Sequence, residues 1–123
     1  GVSDRCELVS GDFFVSVPQG ADCYIMKHII HDWNDESCMK ILNNCRQSMS
    51  DNGKVLLVEG VIFPGNDPST AKIIDLEMLV MTNGGKERTE NEYKTLLNSS
   101  GLELTKIYSV PETWYNIIEA KPL

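Results

Sequence analysis

Apolar residues along this chain fall into blocks with two different periods. Residues 5–9 (Arg-Cys-Glu-Leu-Val) read as a short strand, stopped by the turn residues Ser10-Gly11-Asp12. Phe13, Phe14, Val15 and Val17 follow, and Pro18-Gln19-Gly20 closes that segment. Between 22 and 30 the apolar residues crowd together without alternating, as in a strand buried on both faces of a parallel sheet. The period changes at Asn34, a helix cap followed by Asp35 and Glu36 in the first turn, where the helix dipole favours anions. Cys38, Ile41, Leu42, Cys45 and Met49 then form one stripe of an amphipathic helix, which Asn52-Gly53 is expected to end. Lys54 to Phe63 reads as a single strand with one glutamate, Glu59, inside it.

Asp67-Pro68 predicts the start of a second helix, carried through Ile73 to Met81 and broken at Asn83-Gly84-Gly85. Thr89-Glu90-Asn91-Glu92 fits a capping box for a third, with Tyr93, Leu96 and Leu97 on its apolar face and Gly101 as its stop. Leu102 to Val110 and Thr113 to Ala120 read as strands joined through Pro111-Glu112, an antiparallel hairpin. The order β, β, α, β, α, α, β, β predicts an α/β layer fold with right-handed crossovers.

With 123 residues the chain holds one domain, and 41% apolar residues can supply its core. A net charge of −7 without a basic stripe argues against nucleic-acid binding, and no apolar run is long enough to span a bilayer. The four cysteines, at 6, 23, 38 and 45, make no C-x-x-C pair, which predicts free thiols. No secretory signal opens the chain, so the expected location is the cytoplasm.

Ligands of open α/β sheets bind beyond the carboxyl ends of the strands, which directs attention to Gly11-Asp12-Phe13, Lys27 to Asp32 and Glu59 to Ile62. His31, between a strand and a capped helix, is either a general base or a residue that helps cap the helix. Glu59, in an apolar strand, either has a partner, for which His31 is the natural candidate, or turns to solvent at the strand's end. Glu87 reaches the same mouth or belongs to a solvated cluster, Lys86-Glu87-Arg88. Phe13 stacks on a planar ring or fills the core, and Met78 and Met81 line a binding surface or the core. His28, His31 and Asp32 outline a metal-binding pattern, but two histidines are few for one, and in a strand His28 and His31 would face opposite ways.

Gly11-Asp12-Phe13-Phe14 with Val17-Pro18, then Met26-Lys27 with His31-Asp32-Trp33 and Asp35-Glu36, resemble the plant-type small-molecule O-methyltransferases. Gly53-Lys54-Val55, Val58-Glu59 and Gly84-Gly85-Lys86-Glu87-Arg88-Thr89-Glu90 carry the resemblance to the C-terminus. This is the group of caffeic acid and flavonoid O-methyltransferases and their bacterial and fungal relatives. The resemblance implies an enzyme that uses S-adenosylmethionine, and residues 1–123 as the C-terminal portion of a class I methyltransferase Rossmann-like sheet. That sheet has the order 3-2-1-4-5-7-6 and is mostly parallel with a terminal antiparallel hairpin.

By the same resemblance His31 is the general base that deprotonates an acceptor hydroxyl, with Glu59 and Glu87 flanking it. Asp12, Phe13 and Lys27 correspond to cofactor contacts; Met78, Thr82 and Asp32 fall where the family lines its acceptor pocket. The acceptor is expected to be a small hydroxylated aromatic molecule, with no metal, and the full-length parent a homodimer. Strands 1 and 2, the glycine-rich cofactor loop and the helical dimerisation domain of the family are not among these residues. Residues 5–9 would therefore lose their sheet neighbours, which predicts a displaced N-terminal segment or a strand edge at 22–30 that pairs with another chain. The alternative to an enzyme is an inactive α/β module that keeps the motifs without binding cofactor.

Overall fold

The computed structural model describes residues 1–123. Six strands and three helices follow one another as β1 (Cys23–Lys27), α1 (Asp35–Ser48), β2 (Lys54–Glu59), β3 (Val61–Ile62), α2 (Thr70–Met81), β4 (Arg88–Thr89), α3 (Glu90–Ser99), β5 (Leu102–Ser109) and β6 (Asn116–Pro122). Four strands form the main sheet in the order β1-β2-β6-β5. This arrangement matches the 4-5-7-6 side of the order implied by the resemblance. β1 and β2 pair in parallel, whereas β6 is antiparallel to both β2 and β5. Two of the three ladders are thus antiparallel, and the expectation of a mostly parallel sheet is corrected. The reason is topological: β6 inserts between β2 and β5 and reverses direction against each.

The helices start where capping chemistry places them. The Asn34 side chain accepts from the Ser37 amide at 2.9 Å, and Thr89 with Glu92 forms a complete capping box for α3. Their apolar faces cover one side of the sheet. Cys38, Leu42 and Cys45 of α1 join Tyr93, Leu96 and Leu97 of α3 against Val55 and Leu57 of β2 and Ile118 and Ala120 of β6. Burial alternates along β2, so that Val55, Leu57 and Glu59 share the buried face. Glu59 is therefore carried inward by the strand period, at the end of β2 and not in its middle.

Several boundaries differ from the sequence reading. Residues 5–9 form no strand, and Leu8 is 99% exposed: a strand exists by pairing, and no ladder reaches this segment. β1 ends at Lys27 because His28 takes a positive φ of 54°. α1 ends at Ser48, short of Gly53, and α2 starts after Ser69 rather than at Asp67-Pro68. The second strand of the hairpin begins only at Asn116. No helix is long and apolar enough to cross a membrane.

The expected strand 54–63 is broken at Gly60, and β3 pairs instead with β4. A Cβ at Gly60 would lie 2.7 Å from Glu87 Oε2, 2.9 Å from the Trp114 ring and 3.2 Å from Ala71. Three elements converge on this point, so the bend requires a residue without a side chain. Gly60→Ala is expected to destabilise the fold by about 1–3 kcal/mol in urea denaturation. Gly11→Ala, where nothing lies within 4 Å, is the control that should change little.

Candidate active site

At the carboxyl ends of β1 and β2 the chain builds a buried group of charged side chains. After His28, a single 3-10 turn spans Ile30–Asp32 and carries His31, which is 6% exposed. The reversal at His28 aims two successive amides, those of Ile29 and Ile30, at Glu59 Oε1, at 3.0 and 2.8 Å. Glu59 therefore anchors the His31 turn as well as facing its ring, with Oε2 3.8 Å from Nδ1. Glu87 approaches from the segment between α2 and β4, and its Oε1 lies 2.7 Å from the same Nδ1. A carboxylate can only accept, so Nδ1 carries the proton and Nε2 presents its lone pair outward. Asp32 Oδ1 stands 3.5 Å from Nε2, with a side chain 44% exposed.

Burial sets the proton affinities of this group. Burial disfavours the Glu59 carboxylate and pushes its pKa up to about 7, although His31 and the two amides pull the other way. Burial also opposes charge on His31, but the Glu87 hydrogen bond and the charges of Glu59, Glu87 and Asp32 outweigh it, and its pKa rises. One oxygen each of Glu59 and Glu87 is buried without a hydrogen bond, which adds to the cost of the anions. His31, Glu59 and Glu87 each place a ligand-type atom within 4.8 Å of the others. Nδ1 is nevertheless taken by Glu87, and Glu59 Oε1 by two amides, so these atoms are already hydrogen-bonded within the protein.

Arg88 holds this arrangement in place and is fully buried. Its guanidinium donates to Asp35 Oδ1 at 3.0 and 2.7 Å, to the Ile30 and Trp33 carbonyls at 3.0 and 2.9 Å, and to the Lys86 carbonyl at 3.3 Å. Partial burial works against the Asp35 charge, but Arg88 overcomes it and holds that carboxyl below its ordinary range. The Cys38 thiol, pushed up to about 11 by burial, stays protonated and donates to the Ile30 carbonyl at 3.2 Å. The solvated reading of Lys86-Glu87-Arg88 fits only Lys86, since Glu87 is 2% and Arg88 0% exposed. Nothing in the charge run itself distinguishes the buried members; the glycine pair before it was the usable signal.

The other singled-out residues are more scattered. His28 and His31 do not face opposite ways: their rings lie 5.3 Å apart, with Trp114 on His28 at 5.0 Å. The strand argument fails there because the strand has already ended. Burial, then the neighbouring His31 and Lys27, hold the His28 pKa below its ordinary value. Asp12 accepts from the Phe14 amide at 2.9 Å and closes its own turn. Phe13 and Phe14 meet Trp33 at 6.4 and 4.8 Å, beside a cavity of about 360 Å³ lined by Val9, Ser10, Gly11, Phe13 and Val17 among others. Trp33 is the aromatic residue of this corner that residue-by-residue reasoning did not single out.

Lys27 is exposed and lies over the Tyr115 ring at 4.9 Å. Met78 is buried, and the Thr82 hydroxyl donates to its carbonyl at 2.8 Å while accepting from the Gly85 amide at 2.9 Å. A second cavity, of about 280 Å³, touches Glu87 and is lined by Ile62, Asp75, Leu76 and Leu79. Met78 and Thr82 are not on its wall.

A family profile described as an O-methyltransferase domain matches residues 1–103. Phenazine O-methyltransferase PhzM of Lysobacter antibioticus is 45% identical over 123 residues, which is 100% of this chain and 36% of that protein. The crystal structure of LaPhzM superposes with a TM-score of 0.95 at 45% identity, over 100% of this chain and 36% of the other. That superposition takes in the N-terminal segment with the rest of the chain. An O-methyltransferase from neocarzinostatin biosynthesis, solved with S-adenosylmethionine and 2-hydroxy-5-methyl naphthoic acid, superposes with a TM-score of 0.85 at 34% identity, over 99% of this chain and 35% of that one. The chain spans about a third of the length of the relatives it matches.

Two measurements check the electrostatics. Glu59 binds its proton more tightly folded than unfolded, so its contribution to stability falls as pH rises from about 4.5 to about 7. The raised His31 acts in the same sense, losing its stabilising charge as pH climbs through its folded pKa. The stability difference between wild type and Glu59→Gln should shift against wild type by about 3 kcal/mol from pH 4 to pH 8 in urea denaturation; a pH-independent difference contradicts the assignment. Arg88→Met leaves the Ile30 and Trp33 carbonyls with only the weak Cys38 thiol and a long Trp33 amide bond, at 3.2 to 3.4 Å, and should cost about 3 kcal/mol; a loss below about 1 kcal/mol contradicts the clamp.

Proposed function

The chain belongs to the O-methyltransferase domain family, and from that premise we propose that it is the proton-handling part of an enzyme that methylates a hydroxyl of a small aromatic acceptor. The observation that carries this reading is the 2.7 Å bond between His31 Nδ1 and Glu87, which leaves Nε2 free to take a proton. A phenol with a pKa near 10 is a weak nucleophile until it is deprotonated. An acceptor hydroxyl placed at Nε2 gives its proton to His31, and the oxygen becomes nucleophilic. Glu87 fixes the tautomer and stabilises the imidazolium that results, with Glu59 adding charge from below. The raised proton affinity of His31 narrows the gap to the phenol.

S-adenosylmethionine supplies the group transferred, a methyl bonded to a positively charged sulfur. Asp12, Phe13 and Lys27 are the residues proposed to contact it, joined by Phe14 and Trp33. The fit of these residues rests on the aromatic corner and its cavity, where a flat heteroaromatic ring meets aromatic edges and backbone polar groups. Asp32, beside Nε2, is proposed to meet the acceptor. Met78 and Thr82 are proposed to act from behind the acceptor pocket rather than on its wall.

In the methyl-transferring protein that carries this chain, His31→Gln should lower transfer to a phenolic acceptor by about 10²–10⁴-fold and leave cofactor affinity unchanged. The wild-type rate should rise with pH through a midpoint above the ordinary histidine value of 6.5, since only neutral His31 accepts the proton. Unaltered transfer by the Gln variant would remove His31 from the mechanism.

A further inference from the structure

Glu87 lies on a segment with little structure of its own. Gly84 has a positive φ of 91°, and Gly85 is packed so closely against the His31 turn that a Cβ there would overlap the His31 carbonyl. The carboxylate of Glu87 must nevertheless be held at a fixed distance from a buried ring. Two hydrogen bonds, one from α2 and one from the residue that follows it, do this. Thr82 Oγ1 accepts from the Gly85 amide at 2.9 Å, and Asp75 Oδ1 accepts from the amide of Glu87 itself, also at 2.9 Å.

We propose that Asp75 is a positioning residue, fixing the backbone of Glu87 so that its carboxylate meets Nδ1 of His31. Nothing else in its surroundings accounts for this side chain. Aspartate is a poor residue for a helix interior, yet Asp75 sits in the middle of α2. It makes no ion pair: of the two cations that flank Glu87 in sequence, Lys86 pairs with Asp35 and Glu92, and Arg88 pairs with Asp35. It also adds a negative charge to a region that already holds Glu59 and Glu87 together with Asp32, a cost that the hydrogen bond to Glu87 explains. Asp75 and Glu87 both line the cavity of about 280 Å³.

The charged and titratable groups facing His31 are Glu59 from β2, Glu87 from the segment after α2, Asp32 from its own turn and His28 from the end of β1. Of these only Glu87 makes a short hydrogen bond to the ring, so loosening it changes the ring's proton affinity most. The consequence for catalysis rests on the methyl-transfer reading; the anchor itself does not.

The chain has two histidines, so the His31 ring can be followed by NMR during a pH titration. Asp75→Ala should lower the His31 midpoint by about one pH unit, a tenfold loss in proton affinity, and Asp75→Asn, which keeps the acceptor, should restore it. Identical midpoints in wild type and Asp75→Ala overturn the proposal, as does an Asn variant that behaves like the Ala variant. If Asp75→Ala does not fold, the unmodified chain decides. The Glu87 amide must be protected from exchange with deuterium by its bond to Asp75, and an amide that exchanges as fast as in an unstructured peptide overturns the anchor. A shifted NMR midpoint with an unshifted pH–rate profile supports the anchor and rejects the methyl-transfer reading.

Discussion

The buried guanidinium of Arg88 is the constraint on which the site depends. A buried cation persists only where its donors are matched, and Arg88 finds its acceptors on the first turn of α1, on both sides of the His31 turn and on the segment that carries Glu87. These segments are 53 to 58 residues away along the chain or adjacent to Arg88 itself. Displacing one of them would leave a charge or a carbonyl unpaired in the interior. The planar fork thus converts three weakly structured stretches into one body, and His31 is the residue enclosed by it.

Inside that body the charges are deliberately unequal. Glu87 bonds the ring directly, whereas Glu59 divides its work: one oxygen binds the amides of the turn and the other faces the ring without a hydrogen bond. Holding two carboxylates beside one imidazole in an interior of low polarity raises the proton affinity of the group as a whole. Burial pushes the Glu59 pKa up to about 7. The arrangement sacrifices stability at higher pH in exchange for an imidazole whose proton affinity is set by geometry, the kind of local conflict common where a fold serves chemistry.

Sequence patterns disclosed what is local. Asn34 and the Thr89–Glu92 box fix helix starts through side chains a few residues from the amides they cap, and the spacing of Cys38, Leu42 and Cys45 already contains the buried face of α1. The inward turn of Glu59 follows from the same alternation that buries Val55 and Leu57. Other features arise between distant segments and have no local trace. Residues 5–9 have strand-like composition but no ladder to join. The break at Gly60 comes from Glu87 and Trp114 arriving at one spot, and the contact of His28 with His31 comes from a backbone reversal at an ordinary-looking residue. Arg88, in a run of charges, gives no sign of being the most buried of them.

The placement of the parts also explains why the proton site and the aromatic corner can be built separately. His31 and Trp33 flank Asp32 in one short turn, yet they serve different neighbourhoods: His31 turns to Glu59 and Glu87, and Trp33 turns to Phe13 and Phe14. The carbonyl of Trp33 binds the same guanidinium that holds the turn of His31. One buried arginine therefore sets the spacing between the proposed base and the proposed cofactor corner, although it touches neither ring. Substrate positioning to within fractions of an ångström is worth more than any single charge in a transfer reaction. A rigid turn clamped from behind suits that requirement, whereas helix α2 leaves Ile73, Leu76 and Leu79 exposed.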